Sequence, residues 1–316
     1  MAILYGLTNA IMDITIKVTD EDLARLELNK GVHNEYGEFP FDPFRRFVDS
    51  QDKLITPGGA PLNTIHGAAR IGLKSGLYGT VGNDEFGKEI ATFLEEGKVE
   101  THLATEEGET GVCYTLVTPD GERTGIVLLG VSYKYNFNIG DMPQEARAFY
   151  TSGYELLTNP EPVMEAIELA KKRKRMVAFD VADPYVVEHN RELMEKILDK
   201  VDILFLNELE AIALAGTDDP EKLRELHPGV IALKQGSRGS TIITNKKIIK
   251  IEPYEADVVN TNGAGDGYAA GFLVSALKRM TLEEAGNLGS MYASWVCERE
   301  EANLGNEQYF AKTMKS

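Results

Sequence analysis

The chain has 316 residues, 43% of them hydrophobic, enough for one large α/β domain or one domain with a small appendage. Its 33 Lys and Arg stand against 50 Asp and Glu, and the formal net charge of −17 argues against a nucleic-acid partner while allowing a locally positive pocket for a small phosphate. Cys113 and Cys297, the two cysteines, lie far apart without metal-ligand spacing, which favours a reducing compartment and leaves one disulfide open. No apolar run approaches the roughly 18 residues of a membrane span, and the N-terminus lacks a basic start and a cleavage site. A soluble, cytoplasmic protein with no membrane partner is expected.

In chain order, "AILYGL" (2–7) reads as a first buried strand, and "MDITIKV" (12–18) alternates apolar and polar residues as a strand with one wet face does. Asn83 or Asp84 can cap a helix whose Phe86, Ile90, Phe93 and Leu94 share one face. "GVCYTLVTPDGERTGIVLLG" (111–130) reads as two β-runs joined by a Pro-Asp-Gly turn. Beyond about residue 147 the compact apolar runs "MVAFD" (176–180), "DILFL" (202–206) and "GVIAL" (229–233) fit strands buried on both faces. Helical segments at 161–174, 188–200 and 207–226 separate or follow them, and "TLEE" (281–284) is a capping box. The expected fold is α/β, a doubly wound, mostly parallel sheet forming a single domain over 1–316. Segments at about 12–56 and 111–130 would form a small β-rich lid inserted in it.

Two glycine-rich stretches stand out. "NTNGAGDG" (260–267) follows the β-prone "DVV" and precedes Tyr268, Phe272, Leu273 and Ala276 at helical spacing. Gly263 and Gly265 let backbone N–H groups converge, and with the positive end of the helix dipole they make an anion site. Asp266 there is either ordinary helix-dipole chemistry or a base beside a phosphoryl group. A Walker A string is absent, and G-x-G-x-x-G fails because Tyr268 stands where the last glycine belongs. The second stretch, "PGGAPLN" (57–63), puts Gly58 and Gly59 before a helix that starts near Pro61 and carries Asn63. The five histidines form no metal spacing, and Trp295 reads as core.

Together the two stretches resemble the signatures of the ribokinase-like (PfkB) carbohydrate kinase family. The later one matches the pattern D-T-x-G-A-G-D at all but its first position, and Gly58-Gly59, Asn63, Gly72 and Gly82 match the spacing of the earlier one. "KGVHN", "CYTLVTPDGERT", "DPYVVEHNR" and "TNGAGD" are most similar to the adenosine-kinase-like branch. The resemblance implies ATP as phosphoryl donor, Mg²⁺, and a hydroxymethyl group of a nucleoside or sugar as acceptor. It implies Asp266 as catalytic base and the N–H groups of Gly263, Ala264 and Gly265 as anion hole. Asp13, Gly58, Gly59 and Asn63 would hold the acceptor. On the nucleotide side it implies Lys234, Gly236 and Arg123, with Asn207 and Glu210 holding Mg²⁺ through water. Asn260 replaces the family's usual Asp, which leaves an activating monovalent cation in question, and Ser152 stands where a Glu is common. Tyr36, Phe39 and Phe41 can either stack on a nucleobase or pack the lid. The competing reading is a non-catalytic binding relative of the same fold; monomer or homodimer stays open.

Overall fold

A computed structural model describes residues 2–34, 37–136 and 138–303. The strands in chain order are β1 (Leu4–Leu7), β2 (Ile11–Lys17), β3 (His33–Asn34), β4 (Lys53–Gly58), β5 (Ser75–Gly82), β6 (Glu100–Glu106), β7 (Gly111–Val117), β8 (Arg123–Leu128), β9 (Ala148–Ser152), β10 (Met176–Asp180), β11 (Ile203–Asn207), β12 (Val230–Lys234), β13 (Ser240–Ile243) and β14 (Ile248–Ile251). Among the described residues nine of them form one sheet in the order β14-β13-β12-β11-β10-β9-β1-β5-β6, parallel except where β13 and β14 turn back. The apolar runs expected as buried strands are β10, β11 and β12, and their central residues are inaccessible on both faces because helices cover both.

Three helices matter for the site: α1 (Ala60–Arg70), α2 (Glu208–Ala215) and α3 (Ala264–Leu277). One sheet face packs on α1, α3 and the helix Leu282–Cys297, through Leu62, Ile65, Phe272, Leu273 and Tyr292. The other packs on helices that include Pro160–Lys172 and Arg191–Leu198, through Val163, Ile167, Met194 and Ile197. Helix α3 is apolar around its whole circumference, as a helix buried between layers must be. Both expected caps are present: the Asp84 side chain accepts from Gly87 N–H, and Thr281 and Glu284 form the capping box.

The second sheet, β3-β8-β7-β2-β4, is built from the segments expected to stand apart from the main core. Strands β7 and β8 are the antiparallel pair read around Pro-Asp-Gly. Alternation along β2 sends Ile14 and Ile16 into a separate small core with Leu116, Ile126, Phe44 and Phe47. Each such buried side chain contributes about 1.5–3 kcal/mol. Phe39 is in this core too, edge-on to Phe44 at 5.4 Å, and Phe44 meets Tyr114 edge-on at 5.1 Å. Phe39 and Phe41 therefore pack the small sheet, the second of the two roles open to them; Tyr36 lies outside the described residues. One expectation fails. Asp257–Val259 is no strand but an irregular, exposed segment with Val258 and Val259 more than half exposed. No described residues of a neighbouring strand pair with it.

Candidate active site

Ligands of an α/β sheet gather at the carboxyl ends of its strands. Here three neighbouring parallel strands end on polar residues: β10 on Asp180, β11 on Asn207 and β12 on Lys234, with Asn207 and Lys234 in register. The Lys234 ammonium donates to both Asp180 oxygens, at 2.7 and 3.0 Å. Burial opposes the Lys234 charge, but Asp180 and then Glu210 outweigh it and hold the ammonium above its ordinary value. Lys234 also leans on the glycine loop, because a Cβ on Gly265 would lie 3.2 Å from its Nζ.

Helix α3 begins in that loop. Gly263 takes φ +73°, and a Cβ there would fall 1.8 Å from the Ala302 carbonyl oxygen, so no other residue fits. Ala264 N–H turns back to the Thr261 carbonyl at 3.3 Å, while Gly265 and Asp266 present first-turn N–H groups, which have no intrahelical acceptor. The Asp266 carboxylate accepts from Asn63 Nδ2 at 3.0 Å, and the Asp266 carbonyl accepts from Thr64 Oγ1 at 3.2 Å. Burial, with the nearby Asp180 and Asp13 charges, pushes the Asp266 carboxyl up to about 8 despite the opposing Asn63 bond and Lys234.

Helix α1 enters from β4 through Gly59, whose φ of +107° and contact with the Asn9 carbonyl again demand glycine. Beside it the Asp13 carboxylate of β2 fills the space a Gly58 side chain would need, with Oδ2 only 2.2 Å from that Cβ position. Burial pushes the Asp13 carboxyl up to about 7. Asp13, Gly58, Gly59, Asn63 and Asp266 thus converge where the small sheet meets the large one. Asn303 seals the junction, donating to the Pro57 carbonyl at 3.2 Å and reaching Asn63 Oδ1 at 3.5 Å.

Asn207 and Glu210 form a reciprocal capping box that starts α2: Asn207 Oδ1 accepts from Glu210 N–H, and the Glu210 carboxylate accepts from Asn207 N–H and Nδ2. Glu210 is 2% exposed, and burial, with Asp180 adding and Lys234 opposing, raises its carboxyl to about 7. Each Glu210 oxygen already accepts one hydrogen bond. Among the described residues no group of three acidic, His or Cys side chains forms a cage. Asn207 and Glu210 are oxygen-bearing side chains that could orient water around a Mg²⁺ ion, which keeps several waters and needs few direct protein ligands.

Arg123 opens β8 of the small sheet and reaches across to the glycine loop, donating to Asn260 Oδ1 at 2.5 Å and towards Thr261 Oγ1 at 3.4 Å. The same Asn260 oxygen accepts from Asn262 N–H, and its amide donates to the Glu300 carbonyl. Gly236 sits apart from this cluster in an exposed turn with φ +57°.

Three residues escaped the sequence reading. Asp180 carried a signal, since it ends an apolar run just as Asn207 and Lys234 do. Tyr154 lies within electrostatic reach of Asp183, Glu210, Cys113 and Asp266, and burial raises its hydroxyl well above the ordinary value. Glu155 stands three residues after Ser152 and accepts from Ser152 Oγ and from Asn9 N–H at 3.0 Å, tying the β1–β2 connection to the end of β9. The two cysteines are free thiols.

The sequence model of the pfkB family carbohydrate kinases matches residues 49–308. The chain belongs to that family. It is 26% identical over 304 residues to a 5-dehydro-2-deoxygluconokinase of Clostridium botulinum, covering 87% of this chain and 90% of the relative. It is 25% identical over 327 residues to adenosine kinase 2 of Arabidopsis thaliana, covering 94% of each. The crystal structure of adenosine kinase from Sinorhizobium meliloti superposes with a TM-score of 0.84 at 25% identity over 95% of each chain. Adenosine kinases among both kinds of relative support the adenosine-kinase-like branch, and the fold is ribokinase-like. This PfkB protein is a phosphotransferase acting on an alcohol group of a sugar or nucleoside. No described helix is long and apolar enough to cross a membrane.

Proposed function

We propose that the protein transfers the γ-phosphoryl group of ATP to a hydroxymethyl group of a sugar or nucleoside, with Asp266 as general base. One observation carries the reading: a carboxylate with a raised pKa, oriented by Asn63, stands at the mouth of α3 among first-turn N–H groups that no helical carbonyl satisfies. The acceptor lies against Asp13, Gly58, Gly59 and Asn63. As its hydroxyl oxygen attacks the γ-phosphorus, its proton passes to the Asp266 carboxylate, and ADP leaves. Negative charge on the moving group is met by the N–H groups of Gly263 and Gly265, by that of Ala264 on exchanging its 3.3 Å bond to the Thr261 carbonyl, by the α3 dipole and by Lys234. Arg123 and the Gly236 turn face the nucleotide. Mg²⁺, held through water by Asn207 and Glu210, supplies charge neutralisation of the phosphates.

The small sheet acts as the lid of the site. Asp13 and Arg123 are both carried on it, so its closure over the acceptor completes the constellation and excludes water. Phe39 and Phe41 are turned into the lid's own core, so they support no stacking on a nucleobase. The free thiols and the absence of an apolar span among the described helices suit the cytoplasm.

The test is ADP release with ATP and Mg²⁺ across adenosine, inosine, ribose, fructose and related acceptors. Acceptor-dependent release is expected. A nucleoside hit selects that branch of substrates and a sugar-only hit the other. Release that is equal with and without every acceptor overturns the reading.

A further inference from the structure

The opposite end of the molecule holds a second concavity. It is an open depression of about 490 Å³ at the amino ends of the central strands. Ile3, Leu73 and Leu277 supply apolar wall, and Lys74, Arg147, Lys278 and Arg279 supply four cations. Sequence position explains their convergence. Ile3 immediately precedes β1, Lys74 precedes β5 and Arg147 precedes β9, three strands that are adjacent in the sheet. Backbone bonds join them: Ile3 N–H donates to the Lys74 carbonyl, and Arg147 N–H to the Ile3 carbonyl, each at 2.8 Å.

A basic side chain near a helix C-terminus often does no more than complement the dipole. The ends of α1 and α3 leave little for these four to cap. The N–H groups of Ile71, Gly72 and Leu73 already serve the carbonyls of Gly67, Ala69 and Ala68. Those of Lys278, Arg279 and Met280 serve Val274, Ala276 and Ser275. Some cations elsewhere are neutralised: Lys30 binds both Asp20 and Asp120, and Lys171 binds Asp202. Among the described residues no carboxylate pairs with any of the four around the depression. Four exposed cations gathered at one concavity, in a protein of net charge −17, make a local positive field that favours an anion.

We propose that this depression binds a small phosphorylated anion. The apolar wall suits a ring or short carbon skeleton, and the rim suits one or two phosphate groups, so a nucleotide or a sugar phosphate fits better than inorganic phosphate. The site is remote from the chemistry yet joined to it, because α1 and α3 run from Asn63 and Asp266 directly to its walls. The fourteen residues of α3 separate the two ends by about 20 Å.

Pyridoxal 5′-phosphate tests the assignment, since its phosphate is drawn to such a site and its aldehyde condenses with a lysine amine, releasing water. Borohydride then reduces the imine to a stable secondary amine, and peptide mapping reads every lysine separately. Preferential labelling of Lys74 and Lys278 over the exposed Lys246 is expected, with Lys234 reporting the catalytic site independently. Pyrophosphate at about ten times its dissociation constant should lower labelling of those two about tenfold. AMP and fructose 6-phosphate added in parallel distinguish nucleotide from sugar-phosphate recognition. The double variant R147Q/R279Q, altered only at exposed side chains, should remove both preference and protection. Labelling of Lys74 and Lys278 no faster than of Lys246, or indifferent to every phosphate, overturns the proposal.

Discussion

Asp266→Asn tests the chemistry with little disturbance of the fold. Asparagine has the shape of aspartate, and its Oδ1 can still accept from Asn63 Nδ2, a bond of 3.0 Å in the native protein. Only the ability to take a proton is lost. A positioned general base contributes about 10²- to 10⁴-fold, so kcat should fall by that factor, about 3–5 kcal/mol of transition-state stabilisation. The KM for ATP should stay within about twofold, because binding to the loop uses backbone donors. Stability supplies an independent check of the environment. The folded carboxyl ionises at about 8 against an ordinary 3.8, so the native state holds this proton more tightly than the unfolded chain. Its contribution is fully present below the unfolded value and is lost as pH rises towards and through 8. The variant has no such loss, so its advantage over the native protein should open between pH 4 and 8. An upper bound on that advantage is on the order of 5 kcal/mol. Stopped or steady-state ADP release gives the first quantity and thermal unfolding at several pH values the second. Turnover within tenfold of the native enzyme refutes the base assignment, and superimposable stability–pH curves refute the charge environment.

The same ionisation sets the rate profile. In the free enzyme kcat/KM should climb with pH through about 8, and Asp13→Asn, which removes one of the charges raising Asp266, should move that limb to lower pH; a native profile flat from pH 6 to 9 contradicts this. Lys234→Met leaves Asp180, only 3% exposed, without its partner, and should destabilise the protein by about 3–5 kcal/mol in thermal unfolding. Adding Asp180→Asn should recover much of that loss, and a double variant no more stable than the single would refute the pairing. Asn260 carries no charge to hold an alkali ion, and the Arg123 guanidinium already occupies its oxygen. Activity in potassium, sodium or choline chloride should therefore agree within about twofold at constant ionic strength, whereas tenfold activation by potassium would overturn the argument.

Much of the framework was legible because it is local. Strands β10, β11 and β12 are unbroken apolar runs since helices cover both their faces, and the capping box at Thr281 needs only four consecutive residues; the one at Asn207 is equally local but went unread. The failures are long-range. "DVV" has β-branched side chains, but a strand exists only where another pairs with it, and Asp257–Val259 has no such partner among the described residues. Phe39 and Phe41 are aromatic in either role; only the register of the small sheet decides that they face inward. The contact of Ala302 on Gly263 and of Asn303 on Pro57 joins segments with no local relation in sequence. Asp180 is the exception, a missed residue that its place at the end of an apolar run already marked.

Burial is the main reason why so many of these carboxyls are pushed up towards neutrality, and at Asp266 the arrangement of charge adds to it. Asp180 claims Lys234 by two hydrogen bonds, so the ammonium that might have ionised Asp266 is largely spent, and Asp13 pushes the same way as Asp180. The Asp266 carboxyl, pushed up to about 8, is thus favoured in its neutral form near pH 7. A cation held on the Glu210 side would act in the same sense as Lys234 and favour the ionised form, whereas phosphate charges would oppose it. With Asp266 as the proposed base, its ionisation depends on the balance of charge that ligands bring to the site. The buried carboxyl of Asp266 therefore costs stability at high pH, where it must ionise without water around it.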